Sequence, residues 1–171
     1  MTDEGAVEAG TRAGGTAVGE SPDLRTSGPH LTAALLCERV LVEKDDTVSV
    51  IRVVDRLIYT MNTPLNTSLL PPLPPIATFT FTAFIALKPG TRLGQMTVRI
   101  DQISPSRQRS PGTLFEFVLG TDGMNLISEI ELTTAEPGDH WFEVLLDGRA
   151  ITRIPLEIVL RPSADSGEAA P

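Results

Sequence analysis

The run from Glu136 to Leu160, EPGDHWFEVLLDGRAITRIPLEIVL, leaves this chain few ways to fold. Pro137-Gly138 signals a turn, and after it Phe142, Val144 and Leu146 alternate with Glu143, Leu145 and Asp147. A period of two places successive side chains on opposite faces, the mark of a half-buried strand. Asp147-Gly148 suits a type I′ turn, whose two central positions need positive φ. A second run, Arg149 to Leu160, follows at once, so the segment is a β-hairpin. Its apolar positions then change parity. A two-residue turn pairs Leu146 with Arg149, Val144 with Ile151 and Phe142 with Arg153, yet the downstream apolar set is Ile154, Leu156, Ile158 and Leu160. Since a slip of one residue moves every side chain to the other face, a β-bulge near Thr152–Ile154 or a change of sheet is required. Pro155, with no N–H to donate, fits an edge or a bulge.

The same pattern recurs upstream. Leu31 to Val42 is apolar enough for helix or strand, and a strand is expected; Lys44 to Thr47 then turns the chain into the β-branched Val48 to Val54. Leu57-Ile58-Tyr59 is a short apolar piece. Ala77 to Leu87 should turn Phe79, Phe81, Ala83, Ile85 and Leu87 inward, and Gln95 to Ile103 should do so with Met96, Val98 and Ile100. Leu114 to Leu119 and Leu126 to Leu132 read as further strands, and no long amphipathic helix interrupts them. The expected fold class is therefore all-β, a single antiparallel β-sandwich of about 7–9 strands over residues 30–162. Residues 1–29 and 163–171 offer almost no bulky apolar side chain to bury and are expected to be flexible, disordered tails. These tails hold seven acids against Arg12 and Arg25, which is −5 of the net charge of −8. The core is left nearly balanced, with no basic face for nucleic acid.

Few residues invite chemistry. Cys37, the one cysteine, sits in the apolar ALLCE and reads as a small buried hydrophobe rather than a nucleophile. His30 and His140 are far apart, and no metal set or cofactor motif is present, so no catalytic or metal residue is assigned and no cofactor is expected. His140 reads as a strand-start residue. Trp141 is either a ligand-stacking platform or a sheet-covering side chain, and exposure beside Tyr59 over a groove would favour the platform. Glu38-Arg39 should meet Arg52 across the Asp45-Asp46 turn as structural ion pairs. Ser106 to Ser110, with Arg107 and Arg109, reads as a solvated basic loop, and no spacing brings two acids together. Residues 62–75, NTPLNTSLLPPLPP, hold five prolines and cannot be a central strand. Their Leu69, Leu70, Pro72 and Leu73 form a candidate partner-binding patch, the alternative being a cap on the open end of the sandwich.

The stretches PHLTAALLCERV, VSVIRVVDRL and PGDHWFEVLLDGRAITRIPLEIVL, with the LPP segment between them, resemble a family of small bacterial proteins of unknown domain function. The resemblance covers roughly residues 30–160. It implies an immunoglobulin-like β-sandwich in a bacterial cytoplasm and carries no catalytic residues. The expected function is a non-enzymatic interaction or structural module whose partner is a protein, itself or another. A small-molecule or carbohydrate-binding sandwich is the alternative. The N-terminus lacks the basic and apolar regions of a signal peptide, and no apolar run is long enough to span a membrane, so neither membrane nor nucleic acid is an expected partner.

Overall fold

The computed structural model describes residues 28–61 and 76–162. Both tails, except Gly28 and Pro29, and the patch of Leu69, Leu70, Pro72 and Leu73 lie outside the described residues. Among the described residues ten strands run in order: β1 (His30–Val42), β2 (Val48–Val53), β3 (Arg56–Met61), β4 (Ala77–Lys88), β5 (Gly94–Ile103), β6 (Arg109–Ser110), β7 (Leu114–Leu119), β8 (Met124–Thr134), β9 (Gly138–Leu146) and β10 (Arg149–Pro162). They form two open sheets. One has the order β2-β1-β4-β8, and the other β3-β10-β9-β5-β6, with β7 also on β5. The fold is all-β and sandwich-like.

The core follows from the alternation. Phe81, Ala83, Ile85 and Leu87 of β4 meet Met96, Val98 and Ile100 of β5, Phe142, Val144 and Leu146 of β9, and Ile154, Leu156 and Ile158 of β10. Phe81 packs edge-on against Phe142 with ring centres 5.4 Å apart, which ties the two sheets at their middle. Phe79, Phe117 and Leu126 pack against this cluster from its margin.

Three expectations need correction. The described residues form ten strands rather than about 7–9, because the two-residue β6 forms a strand of its own against β5. The second sheet is not purely antiparallel, because β3 runs parallel to β10, with Leu57 beside Ile158 and Tyr59 beside Leu160. A short apolar piece carries no record of the direction of its neighbour. The bulge of the last hairpin also falls closer to the turn than expected. Arg149 and Ala150 pair with Leu146 and Leu145, but Thr152 already pairs with Val144, so Ile151 is the extra residue. Asp147 and Gly148 hold φ of 47° and 77°, as the turn type demands. Bulging at Ile151 leaves that side chain partly exposed and returns Ile154, Leu156 and Ile158 to the core.

Candidate functional site

The outer face of the second sheet is built in rows. In register across β5, β9 and β10 lie Asp101, Glu143 and Arg153, then Ile103, Trp141 and Pro155. The first row is charged yet buried: Asp101 is 0% exposed and Glu143 3%. Sequence spacing does not place these two acids together; strand register does. Arg99 grips Asp101 with two parallel donors, Nε to Oδ1 at 2.7 Å and Nη2 to Oδ2 at 3.1 Å. Arg109 bridges both acids, 3.0 Å from Asp101 and 2.5 Å from Glu143, and Arg153 donates to Glu143 at 2.9 Å. Arg109, expected in a solvated loop, instead forms the lid of this row.

Local chain geometry puts it there. β6 pairs with Gln102 and Ile103 of β5, and Gly112 then passes so close to the Ile100 carbonyl that a Cβ would overlap it. The Gly112 N–H donates to Asp101 Oδ1 at 3.3 Å. Burial by itself would raise the Asp101 carboxyl, but Arg99, Gly112 and Arg109 more than offset it and hold the group below its ordinary range. Glu143 shows the same balance, with Arg153 and Arg109 outweighing burial. Both acids stay ionised, and neither is poised as a proton donor near neutral pH.

The next row is apolar, and Trp141, the single tryptophan, stands on it 39% exposed. Tyr59 is not beside it. That ring packs edge-on against Phe79 between the sheets, with centres 6.1 Å apart, on the opposite face of the second sheet. His140 points inward, 2% exposed, and its Nε2–H donates to the Glu136 carbonyl at 2.9 Å, so it anchors the turn before β9. Cys37 is fully buried, its thiol donates to the Thr82 carbonyl, and burial pushes it above its ordinary value. Among the described residues, neither has a charged side-chain partner.

The first sheet has a second feature. β1 pairs with β4 only as far as Cys37 opposite Thr82; from Cys37 onward it pairs with β2 instead. The two strands diverge there, and residues 38–53 leave the sheet as a two-stranded arm. Arg52 and Glu38 pair across it at 2.9 Å, as the sequence suggests. A groove of about 570 Å³ opens beneath, between Arg52 and Leu57 on one side and Thr80 and Phe81 on the other. Leu41, Val42, Ile51 and Val53 are exposed along the arm, at 42%, 58%, 40% and 60%.

No family model and no curated protein matches this chain. Among solved structures, a β-glucosidase from Listeria innocua in complex with glucose aligns over 62% of this chain and 15% of its own, at 11% identity and a TM-score of 0.38. An alkylpurine DNA glycosylase, AlkC, from Pseudomonas fluorescens, bound to DNA containing an abasic site analog, aligns over 46% of this chain and 25% of its own, at 18% identity and a TM-score of 0.32. The chain thus spans a quarter or less of either protein, and likeness at this level bears on neither fold family nor activity.

Proposed function

We propose that this protein is a non-enzymatic structural module that assembles with a second copy of itself through the open edge of β2. One observation carries the reading: β2, with the sequence VSVIRV, ends its sheet, and both faces of the arm expose branched apolar side chains. An edge strand is a template for another strand, and folds normally blunt it with lysine, proline or a covering segment. Here the only charge is Arg52, already paired with Glu38. A two-stranded hairpin is also marginal by itself in water and gains from a further strand.

Antiparallel pairing of two β2 edges about a twofold axis would join two four-stranded sheets into one. Charge favours that arrangement. The arm's tip carries Glu43, Asp45 and Asp46 with Lys44, a net −2, and its base carries Arg39 and Arg52 with Glu38, a net +1. Antiparallel pairing sets each acidic tip beside the other copy's basic base. The ionised, arginine-bound Asp101 and Glu143 and the buried His140 favour a module without catalysis. The immunoglobulin-like reading is supported by the first strand's division, in which β1 pairs antiparallel with β4 while β3 crosses to run parallel with β10. The arm is then an insertion in that switching strand. The buried, unpaired Cys37 suits the reducing setting of a cytoplasm.

Light scattering across a wide concentration range tests the assembly. The parent should reach twice the monomer mass. Ile51→Asp with Val53→Asp sets acids at the base against the other copy's acidic tip and should hold the protein monomeric, with melting little changed because both positions are exposed. Val42→Lys should weaken association in the same sense. A parent that stays monomeric throughout overturns the reading.

A further inference from the structure

We propose that the cleft around Trp141 is a binding site for a neutral saccharide. It lies on the outer face of the second sheet, away from the β2 edge, and stands independently of self-assembly. The cleft encloses about 630 Å³, and Ile103, Pro105, Arg107, Asp139, Trp141 and Arg153 line it. That volume falls within the range of about 300–1,000 Å³ common to small-ligand sites. Its floor is Ile103 and Trp141, set side by side by strand register, with Pro155 next in the same row. An exposed indole on such a floor calls for a ligand with an apolar face of its own.

The rim decides what else the ligand carries. Arg107 and Asp139 have no side-chain hydrogen bond or ion pair among the described residues, so one free guanidinium and one free carboxylate face the same space. Arg153 shares Glu143 with Arg109, and its side chain is 59% exposed and keeps donors to spare. The free pair on the rim is therefore balanced in charge. An anion would meet Asp139, and a cation would meet Arg107. A ring of hydroxyl groups satisfies both, because a hydroxyl donates to the carboxylate and accepts from the guanidinium. One apolar face with an edge of hydroxyls describes a pyranose.

The rim is also built before any ligand arrives. Arg107 holds φ at 65°, and its N–H donates to the Ser104 carbonyl at 2.8 Å. Ser104 N donates to Gln108 O at 2.9 Å, and the Ser104 and Ser106 hydroxyls meet at 2.7 Å. Ser106 donates through its N–H and its hydroxyl to the two oxygens of Glu136, which ties this loop to the turn before β9. Across that junction Pro105 lies beside Gly138, which holds φ at 119° at the start of β9. A rim fixed in this way loses little conformational entropy on binding.

Because Trp141 is the only tryptophan, indole emission reports this cleft alone. The full chain is titrated with oligomers derived from cellulose, starch and chitin, and with oligogalacturonate and adenosine monophosphate as anionic comparisons. A saturable change in emission with at least one neutral oligomer, tighter than with either anion, is expected. Arg107→Ala should weaken that binding by about tenfold without changing the melting temperature, since the Arg107 side chain makes no hydrogen bond or ion pair among the described residues. Trp141→Ala, followed by calorimetry, should abolish it while the protein stays folded. No saturable change with any neutral oligomer, tighter binding of an anion, or affinity unmoved by both variants would each overturn the proposal.

Discussion

Asp101 and Glu143 show how much a single register can decide. Placed opposite each other on β5 and β9, two buried carboxylates would repel, yet Arg99, Arg109 and Arg153 surround them and hold both ionised. Since both groups titrate below their ordinary values, the folded state binds fewer protons than the unfolded chain in acid. Their stabilisation is complete above the usual carboxylate range and is lost as pH falls through that range and below it. Melting followed from neutral to acidic pH should show this loss. Asp101→Asn should cost about 1–3 kcal/mol near neutrality and flatten the acid limb. An unchanged acid limb in that variant would show that the network contributes nothing. Local sequence conceals this arrangement: Arg107 and Arg109 sit two positions apart in one polar loop, but only the pairing of β6 with β5 turns Arg109 down onto the acids.

At the scale of elements, alternation was readable wherever a strand has one face in the core. Phe81, Ile85, Val98, Phe142 and Val144 all lie where a period of two places them. The parity change between Val144 and Ile154 required an irregularity, and Ile151 supplies it. Deleting Ile151 would turn Ile154, Leu156 and Ile158 outward, and each such side chain contributes about 1.5–3 kcal/mol when buried. The deletion variant should lose its cooperative thermal transition, whereas Ile151→Thr, which keeps the extra residue, should melt close to the parent. A folded deletion variant would mean that the bulge does not set the register. Partners in space were not readable. Nothing in Arg56–Met61 records that it will run parallel to β10, and nothing in Leu31–Val42 records that its two halves take different neighbours. The candidate cleft was half readable: Trp141 stood out, but the loop holding Arg107 against it depends on Glu136, thirty residues from Ser106.

For the whole molecule, the first sheet is the unfinished part. The second sheet covers its buried charges with its own arginines, while the first sends residues 38–53 out as an arm with open backbone at β2 and apolar side chains on both faces. Burying those side chains against a second copy, as proposed, would give the arm a cover that the described residues of the single chain do not provide. Amide hydrogen exchange across β2 at rising protein concentration tests this most directly, because it reads the edge itself. Pairing of two edges should protect amides of Val48–Val53 progressively as concentration rises, with β4 and β9 unchanged. Exchange in β2 that is fast and identical at every concentration would contradict assembly through this edge.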